Sequence, residues 1–111
     1  MRRVVTGHDE EGKAVVAIDG DAPRVTKLPN YPGAAWHEIW STVRDPHLPF
    51  SGEDPTLDMS HFIPALGETR FMIGEVPPDA EIGQSVQSGS IDFSQAWVEF
   101  ATAFPDMGKV M

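Results

Sequence analysis

Arg2-Arg3-Val4-Val5-Thr6-Gly7-His8-Asp9-Glu10-Glu11-Gly12-Lys13-Ala14-Val15-Val16-Ala17-Ile18 opens the chain and sets its strand plan. Two β-branched runs flank an acidic segment that ends in Gly12, the pattern of antiparallel strands joined by a short glycine-containing turn. Gly12 supplies the positive φ that such a loop commonly needs, while Asp9, Glu10 and Glu11 stay solvated at its tip. The stretch predicts an N-terminal β-hairpin. It organises the fold without revealing a reaction.

Working outward, Asp19-Gly20-Asp21-Ala22-Pro23 is a turn cluster expected to end the second strand. Arg24 to Leu28 is a short extended piece, stopped by Pro29-Asn30-Tyr31-Pro32-Gly33. Ala34 to Val43 follows as a strand on which Trp36, Glu38, Trp40 and Thr42 share one face and Ala35, His37, Ile39 and Ser41 the other. Both faces are mixed, so the pattern leaves open which one is inside. A large aromatic buries roughly 150–250 Å², so a face bearing Trp36 and Trp40 points to a core or a ligand cavity rather than to bulk water.

Arg44 to Gly67 carries prolines at 46, 49, 55 and 64 and predicts a long loop, with a short strand at Asp58 to Ile63 inside it. Loops of this length either rim a binding site or wrap the surface. Glu68 to Val76 reads as a strand ended by Pro77-Pro78-Asp79, with Phe71, Ile73 and Glu75 facing one way and Arg70, Met72, Gly74 and Val76 the other. Glu81 to Ser90, rich in Gln, Ser and Gly, reads as loop. Asp92 then stands at a helix N-cap, and Phe93, Ala96, Trp97, Phe100, Ala101 and Phe104 form one helical stripe that Pro105 ends. Ser94, Gln95, Glu99 and Thr102 form the outer face. Burial of all four stripe aromatics amounts to about 15–25 kcal/mol gross, so this helix must dock on the sheet, on further chain or on another subunit.

Composition bounds the function. With 111 residues and 41% hydrophobic content, residues 1–111 make a single domain with one core. The net charge of −9, from 17 acidic against 8 basic residues, repels phosphate backbones and anionic lipid, so neither nucleic acid nor a membrane surface is an expected partner. The absence of cysteine excludes disulfides, thiolate zinc sites and thiol catalysis. No apolar run matches a signal peptide or a membrane span, so a soluble, cytoplasmic protein is expected.

The segments Arg2 to Asp9, Gly12 to Val16, Glu38-Ile39-Trp40, and Phe71-Met72-Ile73 leading through Glu75-Val76 to Pro77-Pro78 resemble, in order, the N-terminal region of small single-barrel cupin proteins of bacteria and fungi. The resemblance implies a mainly β, antiparallel, cupin-like partial barrel or sandwich with the N-terminal hairpin and one C-terminal amphipathic helix. Asp92 to Phe104 is similar to the helical insertion that can follow the Pro-Pro strand. The chain is thus expected to be the N-terminal part of a cupin-type protein. Full-length cupins hold a divalent transition metal on a His-containing strand with a carboxylate and a further His, and nothing up to Met111 matches that segment.

No metal ligand set is therefore assigned in this chain, and no catalytic residue. The histidines at 8, 37, 47 and 61 form no His-x-His pair, and His37 and Glu38, being adjacent on a strand, point to opposite faces. His8-Asp9 suits turn hydrogen bonds, and Glu53-Asp54 reads as a solvated loop pair. The candidates for lining a ligand cavity are Trp36, Trp40 and Phe71. The functional expectation is a cupin-like protein of unassigned activity, part of a metal-dependent small-molecule enzyme. Its alternative is a metal-free module that binds a small apolar or aromatic ligand or self-associates. Homo-oligomerisation is expected through strand edges or the Trp97/Phe100/Phe104 helix face.

Overall fold

The computed structural model describes residues 1–48, 52–59 and 61–109. Among these residues, five strands, two α-helices and two short 3-10 turns follow one another: β1 (Arg2–His8), β2 (Ala14–Asp21), β3 (Arg24–Leu28), β4 (Tyr31–Thr42), β5 (Thr69–Glu75), α1 (Asp79–Ser88) and α2 (Phe93–Ala103), with the turns at Pro55–Asp58 and Pro105–Lys109.

The expected hairpin is present: β1 and β2 pair antiparallel from His8 opposite Ala14 to Arg2 opposite Asp21. Its loop is organised by Asp9, whose Oδ1 accepts from the backbone N–H groups of Glu11 and Lys13 at 2.9 Å each. Gly12 sits at φ +81°. The second strand does not end at the Asp19 cluster. It runs on through Asp21, because β1 begins at Arg2 and register carries the pairing that far. There Arg2 meets the Asp19 carboxylate through two hydrogen bonds of 2.8 Å.

β3, β4 and β5 form a separate antiparallel sheet with β4 in the centre. Only Pro29 and Asn30 separate β3 from β4, so the strand begins earlier than the prolines and glycine at 29–33 suggest. Within β4 the register shifts: Glu38 pairs with Met72 but Trp40 with Phe71, which leaves Ile39 without a partner on β5. This bulge overturns the single face expected for Trp36, Glu38, Trp40 and Thr42. Trp36 stands opposite Gly74 and Trp40 opposite Phe71, three residues away on β5, so the two indoles lie on opposite sides of the sheet.

The core lies on the Trp36 side. Helix α2 is capped by the Asp92 carboxylate, which accepts from Gln95 N at 3.1 Å. It packs Ala96, Phe100 and Phe104 against Leu28, with Trp36, Met72 and Phe62 around them. Phe100 meets Trp36 at 5.1 Å and Phe62 at 5.3 Å between ring centroids. The helix docks on the sheet, but not with the whole stripe, since Phe93 stays 50% exposed. Glu99, assigned to the outer face, turns to the β3–β4 turn and accepts from Asn30 N at 3.0 Å and Nδ2 at 2.7 Å.

Two expectations fail between these elements. The described residues of 58–63 form no strand. Phe62 is drawn into the aromatic cluster, and Asp106 accepts from Phe62 N at 2.8 Å and Ile63 N at 2.9 Å, which satisfies donors a strand would have used. Residues 81–88, expected as loop, belong to α1, which Gly89 closes at φ +81°. No residue of α1 is buried.

Among the described residues the two sheets do not close into a barrel. The molecule measures 59 × 28 × 17 Å with a Cα radius of gyration of 17.2 Å, whereas about 13 Å is usual for a globule of this length. Mainly antiparallel β structure is thus observed, with two helices instead of one.

Candidate functional site

The hairpin reaches the central sheet through Arg3. Its guanidinium Nη1 donates to the carbonyl oxygen of Ile39 at 2.9 Å, the residue that the bulge leaves unpaired with β5. Nη2 donates to Asp54 Oδ2. Asp54 in turn caps the 3-10 turn, accepting from Thr56 N at 2.9 Å. Both partners are nearly sealed from solvent, at 6% and 8% side-chain exposure. Asp54 is therefore not the solvated loop carboxylate expected from sequence. Burial pushes its pKa up, but hydrogen bonds from Arg3 and Thr56 outweigh this and hold it below the ordinary aspartate value.

Around this anchor, residues of β1, β4 and the following loop line an open cleft of about 720 Å³. Val4 and Val5 supply one wall, Ile39 to Val43 the other, and His47, Leu48 and the Glu53–Pro55 segment the rim. Its size and largely apolar walls with a few polar groups suit a small organic molecule. Trp40 lies on its wall, with the Arg3 guanidinium carbon 5.8 Å from the centroid of its ring.

The three residues singled out as ligand-lining are not brought together. Trp40 lines the cleft. Trp36 is in the α2 core, where a Cβ on Gly74 would stand 3.5 Å from its indole nitrogen. Phe71, Trp40's neighbour on β5, is 55% exposed outside the cleft. Sequence reasoning missed Arg3 and Asp54. One signal was available, a charged residue inside the Val-rich hairpin strand, but its partner lies 51 positions away.

The histidines are dispersed. His37 is buried and its Nε2 lies 2.9 Å from Glu75 Oε1, while Glu38 on the opposite face binds Arg24 at 2.9 Å. His61 Nε2 lies 3.1 Å from Glu68 Oε1, and that contact leads in lowering the Glu68 pKa. His47 is on the cleft rim and His8 ends β1 in solvent. Among the described residues no three His, Asp or Glu side chains converge as metal ligands. Of the Trp97/Phe100/Phe104 face, Phe100 and Phe104 are 8% and 2% exposed and belong to the core. No helix among the described residues is long and apolar enough to cross a membrane. Set against known protein families, curated proteins and solved structures, the chain matches none.

Proposed function

We propose that this chain is a small-ligand-binding module on a cupin-like strand plan, and that the β1–β4 cleft is its binding site. The observation that carries this is the cleft itself, about 720 Å³, held open by a buried Arg3–Asp54 pair and floored by Trp40. A buried ion pair is a costly way to tie the hairpin to the 3-10 turn, and its geometry fixes one spacing between them. Any metal chemistry of the kind the cupin resemblance implies would need ligands beyond those the described residues assemble. The uncharged dye Nile red tests the reading. One saturable site per chain is expected, lost in Val43→Arg, which places a charged side chain on the cleft wall at a residue already 50% exposed. Non-saturating uptake, or uptake unchanged by Val43→Arg, would sink it.

A second reading, self-association, is favoured by the unclosed sheets. Among the described residues β5 is an edge strand, and Phe71 on it and Val76 just past its end are 55% and 62% exposed. Static light scattering decides it.

A further inference from the structure

The central sheet is covered by α2 on the side that Trp36 and Met72 share. Its other side is laid out in rows by the register: Lys27 beside Ala35 beside Glu75, then Val25 beside His37 beside Ile73, with Trp40 beside Phe71 further along. Arg3 stands over the Trp40 end. Ala35 and His37 in the middle are buried, whereas Val25 and Phe71 on the flanking strands are 41% and 55% exposed. Glu75 keeps its side chain 54% exposed although its Oε1 lies 2.9 Å from His37 Nε2, and a carboxylate has acceptor capacity for a further partner.

The chain also exposes more surface than its mass calls for. Its 7498 Å² exceeds by about 1,400 Å² the roughly 6,100 Å² of a compact monomer of 12.2 kDa. A standard interface takes about 800 Å² from each partner, so the excess is enough for one. Joining two strand edges covers only a strip, whereas stacking two sheets about 10 Å apart buries both inner faces.

The charge pattern names the occupant. A two-fold axis running along β4 between two stacked sheets lays β3 of one copy over β5 of the other and keeps the rows in step. Lys27 then meets Glu75 of the second copy, Val25 meets Ile73 of the second copy, and the small Ala35 lies near the axis, where it lets the layers approach. The face is complementary to itself. Its Lys27 and Glu75 also balance locally in a chain of net charge −9, so here two copies approach without setting like charges together.

Resting on the self-association reading above, we propose that a second copy of this chain packs on the face formed by Val25, His37 and Ile73, sheet against sheet, with Lys27 of each copy paired to Glu75 of the other. Light scattering of the full chain over a concentration series tests it, and the parent is expected at a dimer's mass. Val25→Glu puts a charge on the face but off the β5 edge and is expected to give a monomer where the parent is dimeric. Lys27→Glu sets carboxylate against carboxylate twice per dimer and is expected to raise the Kd of the dimer about ten-fold. The exchange Lys27→Glu with Glu75→Lys restores opposite charges across the axis and is expected to recover the dimer, which a loss of folding would not do.

Failure of the exchange to recover the dimer would overturn the Lys27–Glu75 pairing. A dimeric parent whose mass none of these substitutions alters would overturn the stacked face while leaving association through a strand edge. Masses that climb past the dimer would show head-to-tail joining of β3 and β5 edges and overturn it as well. A monomeric parent at every concentration would remove the self-association reading itself.

Discussion

Arg3 is the residue through which the hairpin and the central sheet become one structure. Truncation in Arg3→Ala leaves the Asp54 carboxylate buried without its cation and the Ile39 carbonyl without its donor. That change is expected to cost about 3–5 kcal/mol in urea denaturation. Arg3→Lys should recover only part of the loss, since one ammonium cannot reproduce the fork that spans both acceptors. If Arg3→Ala unfolds at the parent's urea midpoint, the ion pair is not the joint described. The same carboxylate predicts an acid limb. Asp54 titrates below its ordinary value when folded, and so does Asp106, where burial is outweighed by the Ile63 and Phe62 N–H bonds. A carboxyl whose folded pKa is lowered contributes stability above its unfolded pKa of about 4 and loses it as pH falls through the folded value. Stability should accordingly be level across neutral pH and decline below about pH 4. In Asp54→Asn it should be lower at neutrality, with a shallower acid decline.

At the scale of elements, the hairpin turn and the two helices make different demands. Gly12 holds φ +81° with open space where a Cβ would stand, so Gly12→Val meets backbone strain alone, on the order of 1–2 kcal/mol. Unchanged melting in that variant would count against the turn. Phe100→Ala removes the ring on which Trp36, Phe62, Trp97 and Phe104 converge and should cost about 3–5 kcal/mol. Val86→Ser on α1, 45% exposed on a helix with no buried residue, should cost under about 0.5 kcal/mol. These contrasts mark what the sequence made legible. The hairpin, β5 and α2 announce themselves through β-branched runs, a Pro-Pro stop, and an Asp92 cap ahead of a 3.6-residue apolar stripe. α1 has only Ile82 and Val86 as an apolar stripe, and its Gln, Ser and Gly residues imitate a loop. The bulge at Ile39 has no local signal, because it arises from how β4 meets β5. It nevertheless determines that Trp36 enters the core while Trp40 faces the cleft, so the site could not be read from the spacing of the tryptophans.

For the whole molecule, shape is the quantity that separates the two readings of the open sheets. A monomer in solution should scatter with a radius of gyration close to 17.2 Å, well above the value for a compact chain of this length. Pairing through the β5 edge would double the mass and cover Phe71, which lies on a strand that among the described residues has a neighbour on one side only. Phe71→Lys puts a charge on that edge at a position already 55% exposed, so it should barely alter the monomer's own stability. Light scattering of the parent at a dimer's mass, reduced toward the monomer in Phe71→Lys, would establish β5 as the contact. A dimer indifferent to the substitution would move the contact to the free edge of β1, β2 or β3. A monomeric parent at every concentration would instead show that the chain tolerates its open edges, and the strong net charge of −9 supplies the reason, since like-charged copies repel before their edges can pair.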